Sequence, residues 1–185
     1  MKSLVTLTSL CLLASSALAQ PSRSEDRYFE GVNLSLGAAT AQSKTQGASA
    51  NSGFAQAKVN YTFALSHPVK LGLTATADLG NARLSATETW AAGNLSEVSL
   101  EPGILLISNG LLYAKIGTHR GQYETAGATR SFSGSATGLG YKHFVHGSTF
   151  LQIEFTQRRA NNVLITTNTQ NFTQNTGALL LGTNF

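Results

Sequence analysis

Between Val69 and Leu79 apolar and polar residues alternate without a break. Val69, Leu71, Leu73, Ala75, Ala77 and Leu79 hold one set of positions; Lys70, Gly72, Thr74, Thr76 and Asp78 hold the other. Successive side chains of a strand point to opposite faces, so this spacing makes one face wholly apolar. On a helix the same residues would scatter around the cylinder and bury no common stripe. The segment is therefore a strand, apolar on one side and hydrophilic on the other.

The same rule runs through the rest of the chain. Ala55, Ala57, Val59, Tyr61, Phe63 and Leu65 alternate with Gln56, Lys58, Asn60, Thr62 and Ala64, and Ser66-His67-Pro68 turns this segment into the strand just described. Two further hairpins follow: 95–107 with 111–122 around Ser108-Asn109-Gly110, and 131–144 with 149–159 around Val145-His146-Gly147-Ser148. The end segments 28–42 and 172–185 complete about eight predicted strands, with Leu180 interrupting the alternation of the last. Connections alternate in length: short turns near 66–68, 108–110 and 145–148, longer polar segments near 43–53, 80–94, 120–130 and 160–171. Short turns at one end, long loops at the other and strands of about 9–11 residues describe an all-β fold, a transmembrane antiparallel up-and-down β-barrel. Closure is obligatory in lipid, where unsatisfied backbone groups cost several kcal/mol each.

Charged residues make up only 12% of the 185-residue chain, and the formal net charge is +4. The basic residues are scattered and accompanied by no nucleic-acid motif, so no nucleic-acid partner is expected. Lys2, the apolar stretch 4–13 and Ala17-Leu18-Ala19 supply a charged start, an apolar core and a small-residue cleavage site. These are the parts of a secretory signal peptide, too short to span a bilayer as a helix. The expected division is a cleaved signal at 1–19, a short periplasmic segment at 20–27 and the barrel at 28–185. The single cysteine, Cys11, falls inside the signal. The mature chain then has neither a disulfide nor a thiolate metal ligand.

In such a barrel the apolar faces meet lipid and the polar faces line a lumen that eight strands make just wide enough for side chains. Pairing through the short turns places Lys58 diagonal to Asp78, Lys115 diagonal to Glu101, and Lys142 diagonal to Glu154. Diagonal neighbours lie roughly 7–8 Å apart, within reach of long side chains. The six are expected as structural lumen charges, because a buried charge needs a partner; a gate for small ions is the functional alternative. Lys70 and Arg158 have no cross-strand partner in this register and are expected in water at the barrel mouths. Tyr28, Phe29, Tyr61, Phe63, Phe144, Phe150 and Phe185 gather at the short-turn end. Outward ones suit an interfacial girdle, and inward ones a lumen floor.

Leu100-Glu101-Pro102-Gly103, followed by Leu111-Leu112-Tyr113-Ala114-Lys115-Ile116-Gly117, resembles the fourth and fifth strands of the OmpA-like and OmpX-like outer-membrane barrel superfamily. That superfamily includes porin-family and opacity-type surface proteins. Gly138-Leu139-Gly140-Tyr141-Lys142 resembles its sixth strand, and Phe29-Glu30-Gly31-Val32-Asn33 its first. The terminal Phe185 resembles the aromatic signal read by the outer-membrane assembly machinery. Thr118 and Thr183 depart from positions where the family often has an aromatic residue. The resemblance covers nearly all of the chain after the signal and is architectural. It implies the outer membrane of a Gram-negative bacterium, with lipid and lipopolysaccharide around a monomer. It also implies a non-enzymatic role in envelope integrity or surface interaction, with a small-solute or ion pore as the alternative.

Catalysis has one candidate. His146-Gly147-Ser148 with Glu154 matches the His-x-Ser element and carboxylate of lipid A deacylases of the PagL kind, which are also eight-stranded barrels. Its place in a predicted periplasmic turn faces the wrong leaflet, and its neighbours do not match that motif, so no enzyme is expected. His67, His119 and His143 form no pair with metal-ligand spacing, and there is no glycine-rich phosphate loop. Neither a metal nor a cofactor is expected. A soluble barrel of lipocalin type would invert the faces, and Trp90 lacks the Gly-x-Trp context of that class.

Overall fold

The computed structural model describes residues 29–45, 48–80, 82–83, 91–125, 128–165 and 168–185. The expected signal peptide, the 20–27 segment, Tyr28 and Trp90 lie outside the described residues. The strands are β1 (Gly31–Thr45), β2 (Ala48–Ser66), β3 (Val69–Leu79), a two-residue β4 (Ala82–Arg83), β5 (Ala91–Ile107), β6 (Gly110–Thr125), β7 (Ala128–His146), β8 (Thr149–Ile165) and β9 (Asn168–Asn184). The long strands pair antiparallel with their neighbours in sequence, β3 with β5 and β1 with β9. Eight strands thus close into a ring, and β4 pairs only with the outer end of β5. The ring leaves no open edge to expose unpaired backbone to lipid.

Register follows the alternation read from the sequence. Along β3, Lys70, Gly72, Thr74, Thr76 and Asp78 are buried, while Leu73, Ala75, Ala77 and Leu79 are exposed. Pairing aligns the apolar sets around the wall: Leu73 faces Leu100, Leu100 faces Ile116, and Leu139 faces Phe155. Leu36, Val98, Ile116, Phe155 and Leu181 point outward, whereas Gln56, Lys58, Asn60, Thr74 and Gln152 are buried inside. A water-soluble barrel has the reverse partition, so the lipocalin arrangement is ruled out.

The outer end differs from expectation. Segments 43–53, 120–130 and 160–171 continue as paired strands to Thr45↔Ala48, Thr125↔Ala128 and Ile165↔Asn168. Beyond the hydrocarbon layer both faces meet water, so backbone pairing continues while the alternation that signals it disappears. A bulge between Ala160 and Val163 shifts the register of β8 on β9 within this extension.

Inside, apolar side chains bracket the polar middle. Phe29, Leu111, Phe144 and Phe150 form a floor at the short-turn end, with Phe29 edge-on to Phe144 at 4.9 Å between ring centroids. Leu95, Tyr123, Phe132, Val163 and Phe172 form a second cluster toward the outer end. Leu180, which breaks the sequence pattern, is fully buried opposite Gly37 and packs with Ala39, Phe54 and Ala178 on one inner wall. Tyr61 and Phe63 sit outside near the short turns, 6.4 Å apart. Phe185 donates its backbone N–H to the Val32 carbonyl at 2.8 Å, tying the chain end to β1.

Candidate functional site

Inward-facing side chains of β2, β6 and β8 meet at Glu154 of β8. Its carboxylate accepts from Lys58 Nζ of β2 at 2.6 Å and from Lys115 Nζ of β6 at 2.5 Å. Tyr113 Oη donates to it at 2.7 Å, Thr156 Oγ1 at 3.1 Å and Gln152 Nε2 at 3.2 Å. Lys58 also reaches Glu101 of β5 at 2.6 Å, and Lys115 reaches Glu97 of β5 at 2.7 Å. Glu97 joins this group to a second one higher in the barrel. There Arg158 Nε donates to Glu97 at 2.8 Å, and Arg158 Nη1 donates to Asp78 of β3 at 2.6 Å and to Gln174 at 3.0 Å. Gln56 Nε2 occupies the other Asp78 oxygen at 2.9 Å.

The geometry follows from the narrow bore. β2 and β8 are three places apart in the ring, and β3 and β8 stand on opposite sides, yet their side chains touch across the lumen. A glycine opens the space the network needs. Tyr113 pairs with Gly140, and a Cβ there would collide with the Tyr113 ring. The ring lies across Gly140, and its hydroxyl reaches Glu154. Arg158, Lys115 and Glu97 have side chains at 0% exposure. Charges this far from water persist only when opposite charges and hydrogen bonds offset the several kcal/mol of desolvation per ion.

All six lumen charges expected from the sequence are buried inside the barrel, but their partners are not the expected ones. Lys58 pairs with Glu101 and Glu154 rather than Asp78, and Lys115 with Glu97 and Glu154 rather than Glu101. Asp78 belongs to Arg158. Lys142 does not pair with Glu154. Its ammonium lies 4.7 Å from the centre of the Phe150 ring, and no described carboxylate is within ion-pair distance. Arg158 is not at a watery mouth but at the centre of the upper group, and Lys70 is buried at the floor, 2.7 Å from Glu30. Hairpin register points neither to Glu97, Tyr113 and Gln152 as members of the network nor to the central place of Arg158. Their one signal was shared parity, since each falls on the polar set of its strand.

The Lys142 placement has a consequence. Lys142→Met removes a buried cation without stranding a partner, so unfolding free energy should be near neutral or rise by about 1–2 kcal/mol. Urea titration of the folded protein in vesicles, with an unchanged slope, checks this. A loss of about 3 kcal/mol would restore the Lys142–Glu154 pairing.

The His146-Gly147-Ser148 element forms the exposed turn between β7 and β8 at the floor end. Glu154 is committed to Lys58, Lys115 and Tyr113 inside the barrel, so the three groups do not assemble into a nucleophile, base and acid.

A family model described as the outer membrane protein beta-barrel domain matches residues 7–185. Comparison with curated protein sequences gave no match. Among solved structures, the fold is similar to Ail, the attachment invasion locus protein of Yersinia pestis, at 16% identity and a TM-score of 0.59, covering 84% of this chain and 99% of that one. Ail in complex with the heparin analogue sucrose octasulfate is similar at 15% identity and a TM-score of 0.57, covering 84% of this chain and 99% of that one. Neisserial surface protein A is similar at 13% identity and a TM-score of 0.60, covering 84% of this chain and 98% of that one. These likenesses establish the fold. The protein resides in the lipid and lipopolysaccharide of a Gram-negative outer membrane, and the chain belongs to the outer membrane protein beta-barrel domain family.

Proposed function

We propose that this protein is a non-enzymatic surface protein, a closed barrel that holds its outer hairpins rigidly at the cell surface for envelope integrity or surface contact. The filled interior carries this conclusion. Between the Phe29–Phe144–Phe150 floor and the Tyr123–Phe132–Phe172 cluster, the bore is occupied by cross-lumen ion pairs. Eight strands leave room for side chains and not for a channel. A passing ion would have to separate Lys58 or Arg158 from two carboxylates each. The hairpins β1–β2, β6–β7 and β8–β9 stay paired to their ends, which suits a fixed contact surface better than loose loops. In the same proposal residues 1–19 are cleaved on export, 20–27 lie in the periplasm, Phe185 engages the assembly machinery, and the barrel is a monomer.

The test is conductance in planar bilayers on a sample whose fold is verified by heat-modifiable gel mobility. The expected result is a fast-migrating folded band with no unitary conductance steps. Steps that change in size with Lys58→Met or Arg158→Met would establish the pore instead.

A further inference from the structure

At its outer end the ring comes apart along one seam. β7 pairs with β8 only as far as Ser135↔Arg159, while β6–β7 continues to Thr125↔Ala128 and β8–β9 to Ile165↔Asn168. The apolar belt ends two outward rows below that point, at Leu139 and Phe155, so no lipid demands backbone pairing there. The bulge between Ala160 and Val163 lies where the seam opens, and a bulge bends its strand and adds twist. β8 leaves β7 at this place, and a cleft of about 820 Å³ lies between the two hairpins. Tyr123, Phe132 and Val163, all members of the outer apolar cluster, form its inner wall. Ser131, Ser133 and Asn161 are exposed along its outer face, with Arg120 and Arg130 at its mouth and Arg159 on the last rung below. Glu124, opposite Thr129 near the tip of β6, is the one acidic position in segments 119–134 and 159–165, where arginines outnumber it three to one.

Both sides of the cleft are strand edges. Residues of an antiparallel strand send N–H and C=O alternately to one side and the other. β7 spends one side on β6, so every second residue of 128–133 directs its backbone groups into the cleft. Residues 163–165 of β8, paired to β9, present theirs from the opposite side. Among the described residues no ladder pair or backbone hydrogen bond joins the two runs. Neither run contains proline, and Arg130 is their only charge, so the usual protections of a free edge are nearly absent. A strand residue fills roughly 160 Å³ at ladder, sheet and rise spacings, so the cleft holds about five of them.

We propose that this cleft takes an extended acidic peptide of a partner protein, inserted as an extra strand between β7 and β8. The site rests on the reading of the outer hairpins as a fixed contact surface and gives that surface its partner. A polypeptide supplies N–H and C=O to both edges at the repeat of a ladder, which a glycan or a lipid does not. Its inward side chains are apolar, against Phe132 and Val163. Its outward ones are acidic and form charge-assisted hydrogen bonds with Arg120 and Arg159.

Amide hydrogen exchange of the folded barrel in phosphatidylcholine nanodiscs, read by NMR, tests it. The probe is a capped hexapeptide alternating glutamate with valine, at millimolar concentration. Exchange should slow at least tenfold at alternate residues of 128–133 and within 163–165, and stay unchanged at 48–53, the outer end of β2. Methylating alternate peptide nitrogens removes the donors to one edge and should weaken binding at least tenfold. Lysine in place of the probe's glutamates should do the same, and so should Arg120→Gln with Arg130→Gln in the barrel. Both arginines are exposed, so that variant should keep wild-type gel mobility. Lys44→Gln, on β1 away from the cleft, should change binding less than twofold. Equal binding of the methylated peptide, slowed exchange at 48–53 instead, the same protection from dextran sulfate, or no slowing in wild type would overturn the site. Conductance decides the closed-barrel function separately: a silent barrel with an unprotected cleft keeps that function and loses this site.

Discussion

Glu154→Ala should lower the unfolding free energy by about 3–5 kcal/mol, the amount typical of breaking a buried ion pair from one side. Glu154 neutralises both Lys58 and Lys115, and it accepts from Tyr113, Gln152 and Thr156. Its removal strands two ammonium groups where water does not reach, and Glu101 and Glu97 compensate each of them only in part. Glu154→Gln keeps the shape and one acceptor oxygen, with an amide N–H group in place of the other acceptor, and should lose less than alanine. Adding Lys58→Met to Glu154→Ala should recover part of the loss, because members of one network are not additive. Urea midpoints in lipid vesicles measure all three. A loss below about 1 kcal/mol for Glu154→Ala would mean that the network is solvated rather than buried.

Arg158→Met should have an effect of similar size, about 3–5 kcal/mol, for the opposite reason. The guanidinium is the cation shared by Asp78 and Glu97, and the planar fork satisfies both with Gln174 besides. Methionine fills the volume and leaves two carboxylates facing each other. Neutralising them as well, with Asp78→Asn and Glu97→Gln, should restore most of the stability. If the triple variant is no better than the single one, the loss arises from packing rather than from stranded charge. Lys142→Met, buried to a similar extent but without an ion partner, is the matched control.

Different parts of the structure were legible to different degrees. The wall was open to reading because lipid on one side and a narrow bore on the other force strict alternation, as in Val69–Leu79. The short turns were marked by Ser-His-Pro, Ser-Asn-Gly and His-Gly-Ser. The outer ends were not, because residues such as 43–53 sit beyond the lipid and lose the apolar period while keeping their partners. The parity of each lumen charge was visible, its partner was not. Lys58 with Glu154 and Arg158 with Asp78 are contacts between distant strands, set by barrel curvature and by which inward positions are glycine. Hairpin register alone cannot supply that. Leu180 is the same lesson in apolar form: an inward leucine is tolerated because Gly37 stands opposite and small alanines line that wall.

The central claim is that odd positions of β3 face acyl chains while even positions face a dry, charge-filled bore. Cys11 is the only cysteine in the sequence, so single cysteines at 70–79 in a chain lacking residues 1–19 can each carry one spin label. In lipid bilayers, collision with oxygen should rise at 71, 73, 75 and 77. It should fall at 72, 74 and 76, which should also resist a water-soluble nickel relaxant. Shielded odd positions beside even positions open to the aqueous relaxant would contradict both the filled lumen and the lipid-facing belt.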